Sequence, residues 1–326
     1  MKAVWYSQNG AAADVLTHGD LPTPEPGPGE VRVKLASSGV NPSDVKSRQS
    51  RPLAGAKIIP HSDGAGVIDA VGNGVDRQRI GQRVWVWNGQ WQRAWGTACE
   101  YIALPQAHAV ALPEHIDFAS AACFGIPALT AIQAIHLAGN LNNKTVLVTG
   151  ASSAVGHYAS QLAKRAGARV LGTVGSAARG AHAHAGGVSD LIYYKTESVA
   201  QRIKELTKDQ GVDAIIDMDF STTSAYLTDG VLRPQGTLVC YGSNNAGDVA
   251  VNFRTMLWRQ LTLKFFIVYE LSASDRDHGL RTLHALLTSN SLQHSIGARF
   301  KLADMIKAHQ AVEQGLVIGN VVVTLE

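Results

Sequence analysis

The sequence predicts an α/β protein with two parts: a doubly wound parallel sheet in the middle of the chain and a β-rich domain formed by both ends. Two observations predict the parallel sheet. Apolar strand-like runs alternate with amphipathic helical segments between residues 125 and 265, and the first run ends in a turn of small residues. The β-rich domain is predicted by short alternating apolar runs, separated by Gly and Pro, in the first third.

The composition is that of a globular protein. The 326 residues are 45% hydrophobic and 17% charged, which is too apolar for a disordered chain. A formal net charge of +3 gives no reason to expect nucleic acid or a membrane as a partner. The start of the chain does not fit a signal peptide, and no apolar run approaches the ~20 residues of a spanning helix.

Three cysteines, Cys99, Cys123 and Cys240, lie far apart in the sequence. They form no C-x-x-C pair and no even framework, which excludes a disulfide scaffold and a structural zinc cage. Reduced thiols fit a cytoplasmic protein, and that is the expected location.

The β-rich domain is predicted from residues 1–124 and 266–326. Its strand-like runs are GEVRVKLASSGV (29–40), DGAGVIDAVG (63–72) and QRVWVW (82–87). From about residue 265 the pattern becomes mixed again, and we expect the final run NVVVTLE to return to this domain as a strand.

The nucleotide-binding domain is predicted from residues 125–265, where strand and helix alternate. Its first unit is the strand-like run KTVLVTG (144–150), followed by a helical face over 155–167 and a second strand over 168–175. Further strand-like runs are DLIYY (190–194), VDAIIDM (212–218) and GTLVCYG (236–242).

The turn from Gly150 to Gly156 is the most informative segment of the chain. A strand ends at Gly150 and a helix begins near Val155, with only small residues between them. Small residues allow a backbone to approach a pyrophosphate, and the helix N-terminus offers free N–H groups and a positive dipole end. The surrounding βαβ unit makes a dinucleotide site the favoured interpretation over an ordinary tight turn.

The end of the second strand indicates which nicotinamide coenzyme is bound. NAD enzymes of this fold usually place an acid there, whereas this chain reads TVGSAARG (173–180). Ser176 can donate a hydrogen bond and Arg179 can pair with a phosphate, so we expect NADP(H). The alternative is that Arg179 is a solvated residue at a helix start.

These residues resemble the medium-chain dehydrogenase/reductase superfamily, and more narrowly its zinc-free NADPH:quinone oxidoreductases, the zeta-crystallin-like branch. The matching segments follow the family's order along nearly the whole chain: GEVRVKLASSGVNPSDVKSR, HSDGAGVIDAVGNGV, GTACEYIALP, AACFGIPALTAIQAI and VLVTGASSAVG. The resemblance implies a Rossmann domain and a GroES-like catalytic domain, with substrate bound in the cleft between them.

The turn and the resemblance together give a set of candidate cofactor-binding residues: Asn41, Thr130, Gly150, Ala151, Ser152, Ser153, Ala154, Val155, Gly156, Ser176, Arg179, Tyr194, Gly242, Ser243, Asn244 and Asn320. Three positions depart from the family pattern. Ser153 and Ala154 stand where the family usually has glycines, and Asn320 stands where members often have Lys or Arg.

No metal site is predicted. Zinc-dependent relatives have Cys where this chain has Asn41, and a His-Glu pair where it has Ser62-Asp63. His61 is one position away from that pair and is interpreted as a loop residue. Without a metal, the resemblance implies hydride transfer from NADPH to a quinone, which needs little Lewis-acid help.

Asn41 and Thr130 are the candidate catalytic residues. Asn41 is interpreted as a hydrogen-bond donor to the substrate carbonyl or nicotinamide, or else as a cap of its own backbone. Thr130 either approaches the nicotinamide or is a helix-start hydroxyl. Asp44 is expected to be structural. Trp85 and Trp87 either stack on a quinone ring or belong to the core.

Two other functions remain open. One is an enone or alkenal double-bond reductase, and the other is a non-catalytic NADPH-binding sensor or structural protein. A short-chain reductase is disfavoured, because no Tyr has Lys four positions later. The segment QLTLKFFIVYE (260–270) is predicted to be an edge strand that pairs between subunits of a homodimer.

Overall fold

The computed structural model describes residues 1–325. The strands are β1 Lys2–Trp5, β2 Thr17–Asp20, β3 Glu30–Val40, β4 Asp63–Val71, β5 Arg83–Val86, β6 Tyr101–Pro105, β7 Ala109–Ala111, β8 Thr145–Val148, β9 Arg169–Val174, β10 Asp190–Tyr193, β11 Val212–Asp217, β12 Leu232–Cys240, β13 Thr262–Phe265, β14 Ile296–Lys301 and β15 Asn320–Thr324. The α-helices are α1 Ala12–Val15, α2 Pro42–Ser50, α3 Phe118–Ala121, α4 Leu129–Ala138, α5 Ala154–Arg165, α6 Ala177–Ala185, α7 Val199–Thr207, α8 Phe220–Thr228, α9 Phe253–Arg259, α10 Ala273–Thr288 and α11 Met305–Glu313.

The chain forms two compact units. The first unit comprises Met1–Pro127 together with the segment that begins at His294, and the second comprises Ala128–Gln293. The chain therefore leaves the first unit once and returns to it, as expected for the C-terminal tail.

The second unit contains a six-stranded, all-parallel sheet with the strand order β10-β9-β8-β11-β12-β13. In chain order this is 3-2-1-4-5-6, the doubly wound Rossmann order, which confirms the predicted fold class of this region. The central strand β8 shows that the sheet is covered on both faces, because consecutive side chains point to opposite faces and Val146, Leu147 and Val148 are all fully buried.

The first unit contains a seven-stranded, mostly antiparallel sheet and the β1–β2 pair. The path runs β14-β15-β3-β4-β5-β7, and β6 also pairs with β3. Strand β3 is central because it pairs with β4, β6 and the C-terminal strand β15. The β-rich domain predicted from both chain ends is therefore confirmed.

The boundary between the units differs from the expected one at its C-terminal side. Residues 266–293 were expected in the β-rich domain but belong to the second unit. The reason is helix α10, which packs against α4. A Cβ added at Gly279 would lie 3.4 Å from Leu129 Cδ2, and the ring centroids of His136 and His278 lie 4.2 Å apart.

The first boundary lies at Pro127 rather than at residue 124. A π-helical turn, Phe124–Ala128, connects the units and leads into α4. Within residues 1–325, no helix has the length and apolar character needed to cross a membrane.

Candidate dinucleotide site and active site

The 150–156 turn joins β8 to α5, as the sequence predicts. Gly150 has a φ of +61°, in the left-handed region that favours glycine. Its N–H donates to Thr173 Oγ1 at 2.8 Å, and the N–H of Ala151 donates to the Thr173 carbonyl at 3.1 Å. Strand β9 therefore holds the start of the turn.

Gly156 closes the turn and leaves no room for a side chain. A Cβ at this position would lie 2.3 Å from the Gly150 carbonyl oxygen and 2.9 Å from Ala151 Cα, and both are backbone atoms. Ser153 caps α5, because its Oγ accepts from the Gly156 N–H at 3.0 Å. The first turn of α5 carries no acidic residue, so the helix start retains its preference for an anion.

The turn lies at the point where the strand order reverses, between β8 and β11. Thr149 Oγ1 donates to Asp217 Oδ1 at 2.9 Å and accepts from the Met218 N–H at 2.9 Å. Thr223 Oγ1 also donates to Asp217 Oδ1, at 2.7 Å. Burial raises the pKa of Asp217, and these hydrogen bonds oppose the shift. Ligands of open α/β sheets bind at such a crossover, so the geometry fits a dinucleotide.

A second set of candidate residues follows the carboxyl ends of β9 and β10. We call this set the 2′ corner, and it comprises Ser176, Arg179, Tyr194 and Lys195. Ser176 caps α6 by accepting from the Arg179 N–H at 3.4 Å. A Cβ on Gly175 would lie 2.8 Å from the Tyr194 hydroxyl oxygen and 3.4 Å from Lys195 Cε. Tyr194 and Lys195 therefore lie beside Gly175, and the Arg179 backbone N–H lies at Ser176, the next residue along the chain. That these residues bind a 2′-phosphate stays a prediction.

Lys195 is a residue that the sequence analysis missed. It follows Tyr194 directly, so a scan for cations beside the predicted tyrosine could have found it. With Arg179 it gives the 2′ corner two cationic side chains, and the first turn of α6 has no acid. A 2′-phosphate suits this charge arrangement better than a ribose hydroxyl.

The third candidate group, Gly242, Ser243 and Asn244, follows β12 at the same edge of the sheet. Asp219 holds this loop, because it accepts from the Asn244 N–H at 2.9 Å and from Asn244 Nδ2 at 2.8 Å. Burial acts to raise the pKa of Asp219, but hydrogen bonds from Ser221, Asn244 and Thr222 lower it overall. Asp219 is a second residue that the sequence analysis did not identify.

Asn41 lies in the first unit, at the N-cap of α2, and is 5% exposed. Its backbone N–H donates to Asp44 Oδ2 at 2.7 Å, and its Nδ2 donates to Asp63 Oδ2 at 2.9 Å. Asn41 thus occupies a helix N-cap position, while its side-chain amide donates to the Asp63 carboxyl group. The donor role toward a substrate stays a prediction.

Two buried carboxyl groups flank Asn41. Burial raises the pKa of Asp44 to about 7, and burial together with the nearby Asp44 raises the pKa of Asp63 well above its ordinary range. Asp63 Oδ2 also accepts from the Ile126 N–H at 3.1 Å. Burial disfavours the ionised form of a carboxyl group, so Asp63 favours its protonated form at neutral pH and Asp44 favours it below pH 7.

His61 lies in a loop, as predicted, but it is fully buried and has a φ of 77°. Arg48 Nε donates to His309 Nδ1 at 3.4 Å, so His309 carries its proton on Nε2. That N–H points at His61 Nε2 at 2.9 Å, which places the His61 proton on Nδ1, 2.8 Å from Ser38 Oγ. Both imidazoles are therefore neutral, with fixed tautomers.

The chain of hydrogen bonds continues toward Asp63. Ser38 Oγ lies 2.7 Å from Thr97 Oγ1, and Thr97 donates to the Asp63 carbonyl at 2.6 Å. At the other end, Arg48 pairs with Glu313 on α11. The network ties α2, β3 and α11 to the loop that carries His61 and to the start of β4 at Asp63.

The remaining candidate residues are buried within their own units. Thr130 is the second residue of α4 and is 4% exposed. Asn320 begins β15, and its Nδ2 donates to the Ser295 carbonyl at 2.8 Å. Trp85 is 1% exposed with its ring against Phe124, which is the core position that the sequence left as an alternative.

Two family models match the chain. The model described as alcohol dehydrogenase GroES-like domain matches residues 27–114, and the model described as zinc-binding dehydrogenase matches residues 154–287. The quinone oxidoreductase of Pseudomonas aeruginosa is 30% identical over 315 residues, which cover 95% of each chain.

Solved structures agree with the fold. A structure described as an NAD-dependent alcohol dehydrogenase is 28% identical, with a TM-score of 0.90 and complete coverage of both chains. A mycobacterial protein solved in complex with NADPH is 26% identical, with a TM-score of 0.89 and complete coverage of both chains. Because these matches extend over the whole chain and reach 30% identity, the protein belongs to the medium-chain dehydrogenase/reductase superfamily and is an oxidoreductase similar to its quinone oxidoreductases.

Proposed function

We propose that the protein transfers a hydride from NADPH to a quinone. The observation that carries this proposal is the 2′ corner, where Lys195 lies beside Gly175 and Arg179 belongs to the first turn of α6, after a strand that bears no acid. The 150–156 turn supports a dinucleotide ligand, and the name of the Pseudomonas aeruginosa relative supports a quinone as acceptor.

In the proposed complex the chain binds the coenzyme at three places. The 150–156 turn and the start of α5 receive the diphosphate, because Gly156 brings the backbone close and the helix dipole favours an anion. The 2′ corner holds the 2′-phosphate, and the loop anchored by Asp219 contacts the coenzyme through Gly242, Ser243 and Asn244. NADPH, when bound, supplies the hydride.

The candidate active-site residues in the first unit are proposed to work without zinc. Asn41 and Asp63, at positions where zinc-dependent relatives carry ligands, instead share a hydrogen bond of 2.9 Å. Across residues 1–325, no cluster of three His, Cys, Asp or Glu side chains could hold a metal ion. A quinone is electrophilic without a Lewis acid, so this arrangement suits it better than an alcohol. Asn41 is proposed to donate to the substrate. Thr130, which belongs to the second unit, is proposed to approach the nicotinamide.

A coenzyme-oxidation assay tests the proposal. The wild type is assayed for reduction of 1,4-benzoquinone and of 2-alkenals with NADPH and with NADH. Oxidation of primary alcohols is assayed with the oxidised form of each coenzyme. We expect NADPH-dependent quinone reduction that survives dialysis against a chelator. Faster turnover of 2-alkenals would favour a double-bond reductase, and coenzyme binding without turnover would favour a sensor or structural protein.

In the same assay, Arg179→Ala should raise the KM for NADPH about 10- to 100-fold, because a charge-assisted contact contributes ~1.5–3 kcal/mol. The KM for NADH should stay within a factor of two. A variant whose preference for NADPH is unchanged would show that the 2′-phosphate is held elsewhere.

We also propose that the protein acts as a homodimer in the cytoplasm. Three free, buried cysteines suit a reducing compartment. Strand β13 is an edge of the parallel sheet, as the sequence predicts. Beside it in the sequence, α9 has no buried residue and carries Phe253 at 74% and Trp258 at 72% exposure. Phe265 on β13 is 58% exposed, so this surface is apolar enough to bury against a second copy.

Light scattering should report a particle of twice 34.6 kDa for the wild type. Trp258→Glu should shift the particle toward one chain, because a charge in an apolar interface is costly. Arg281→Glu, at a side chain that is 73% exposed on α10, serves as the control and should not change the mass. A monomeric wild type at micromolar concentration would exclude the dimer.

A further inference from the structure

Met218 is an exposed apolar side chain that the proposed coenzyme contacts do not use. It follows β11 directly and is 37% exposed. A Cβ added at Gly150 would overlap Met218 Sδ and would lie 3.3 Å from Met218 Cγ. The sulfur atom therefore packs against the backbone that opens the 150–156 turn. A thioether at this position combines access from solvent with contact to the proposed diphosphate site.

The backbone of Met218 lies between two of the predicted coenzyme contacts. Its N–H donates to Thr149 Oγ1 at 2.9 Å, at the end of the strand that leads into the turn. On its other side, a Cβ added at Gly242 would lie 2.7 Å from the Met218 carbonyl oxygen. Because β11 pairs with both β8 and β12, Met218 lies at the crossover edge of the sheet, where a dinucleotide is expected.

A thioether can be converted into a polar group by a peroxide. The sulfur attacks one oxygen of the peroxide, the O–O bond breaks, and the second oxygen leaves as water. One electron pair passes from the sulfur to the peroxide, so the sulfur is oxidised and the peroxide is reduced. The product is a sulfoxide, whose oxygen carries a partial negative charge and accepts hydrogen bonds.

A sulfoxide oxygen on Met218 would compete with a diphosphate. It would lie beside Gly150, where the turn and the start of α5 are proposed to present N–H groups to the anion. The first turn of α5 carries no acidic residue, so the oxygen would add negative charge where the helix start has none. Repulsion between this oxygen and the phosphates would weaken binding, and the oxygen would also occupy part of the same space.

The other methionines are less exposed than Met218. Met1 and Met256 are half-buried, and Met305 is 1% exposed. Because oxidation of a sulfur atom by a peroxide depends on its exposure, Met218 is expected to react first.

The cysteines do not compete for the peroxide. Cys99, Cys123 and Cys240 are all buried, and burial raises the pKa of each thiol above its ordinary value. Since the thiolate rather than the thiol is the reactive form, buried thiols of this kind are inert.

We propose that Met218 is a site of reversible oxidation that controls coenzyme binding: a peroxide converts its thioether to the sulfoxide, which weakens binding of the dinucleotide at the 150–156 turn. A methionine sulfoxide reductase, which uses a thiol reductant, restores the thioether. The inference rests on the proposed function in one respect, namely that the turn binds the diphosphate of NADPH. It does not depend on which substrate accepts the hydride.

Peroxide treatment followed by titration with NADPH tests the proposal. The wild type, Met218→Leu and Met256→Leu are each treated with hydrogen peroxide, freed of it and titrated by fluorescence, beside an untreated sample of the same protein. Leucine is chosen because it nearly conserves the volume of methionine and has no sulfur to oxidise. We expect treatment to raise the Kd about 3- to 10-fold in the wild type and Met256→Leu, and less than about twofold in Met218→Leu.

Three further measurements connect the loss of affinity to Met218. Mass analysis of peptides from the treated wild type should find one added oxygen on the peptide that contains Met218. Methionine sulfoxide reductases that act on both sulfoxide epimers should restore the untreated Kd. Saturating NADP+, which has no hydride to lose to the peroxide, should slow the oxidation of Met218 and leave that of Met256 unchanged.

Four results would overturn the inference while leaving the proposed function intact. They are an unmodified Met218 after a treatment that oxidises free methionine, an oxidised Met218 with an unchanged Kd, equal weakening of binding in Met218→Leu, and oxidation of Met218 that NADP+ does not slow. Failure of the untreated wild type to bind NADPH at all would instead overturn the proposed function and the inference with it.

Discussion

Gly156→Ala is expected to weaken NADPH binding about 10- to 100-fold. The added Cβ would lie 2.3 Å from the Gly150 carbonyl oxygen, so the backbone of the 150–156 turn must move. Overpacking of this kind costs roughly 1–3 kcal/mol, and here the displaced atoms form the proposed diphosphate site. Titration of the variant with NADPH, monitored by fluorescence, measures the loss.

Gly279→Ala is the matched control in the same unit. Its added Cβ would lie 3.4 Å from Leu129 Cδ2, which is an ordinary contact with a side chain. Alanine is also favoured over glycine within a helix by up to ~1 kcal/mol. This variant should bind NADPH as the wild type does. Wild-type affinity in Gly156→Ala would show that the diphosphate does not depend on this turn.

His309→Gln is expected to change how stability depends on pH. Burial, with the nearby Arg48, lowers the pKa of His309 to about 3 in the folded protein, against ~6.5 in the unfolded chain. Between these pH values the unfolded state binds one more proton than the folded state. Because of this histidine, the free energy of unfolding of the wild type therefore falls by ~1.4 kcal/mol for each pH unit as pH falls. The destabilisation caused by His309→Gln should therefore shrink by that amount per unit between pH 6 and pH 4, as measured by urea unfolding.

Asp44→Asn should show the opposite sign. Burial raises the pKa of Asp44 to about 7, so between pH 4 and pH 7 the folded protein holds a proton that the unfolded chain releases. This carboxyl therefore costs the wild type stability as pH rises through that range. The free energy of unfolding of Asp44→Asn, relative to that of the wild type, should therefore increase as pH rises from 4 to 7. Parallel stability curves for the wild type and both variants would contradict the buried, neutral state of these groups.

The 150–156 turn was predictable because its determinants are local. A strand, a run of small residues and an amphipathic helix lie within about 25 consecutive residues, and their pattern specifies the backbone geometry. The absence of an acid at the end of β9 was predictable for the same reason, because it is read from the consecutive residues 173–180. The parallel sheet itself followed from the alternation of strand and helix.

The buried network of the first unit was not predictable from the sequence. His61 and His309 are 248 positions apart, and neither has a local pattern that indicates its partner. The predicted C-terminal boundary of the nucleotide-binding domain differs from the end of the second unit for a related reason. Helix α10 is amphipathic and could cover either sheet, and only its packing against α4 assigns it to the second unit.

The pairing of β15 with β3 has a consequence for how the chain folds during synthesis. Every strand of the parallel sheet is translated before β14 and β15, so the second unit can reach its native contacts while the ribosome still holds the C-terminal segment. The antiparallel sheet is completed later, because Val40 can pair with Val321 only when translation is nearly finished. Until then one side of β3 near Val40 lacks its native neighbour, and a nascent chain at this stage is the form most exposed to mispairing and most in need of a chaperone.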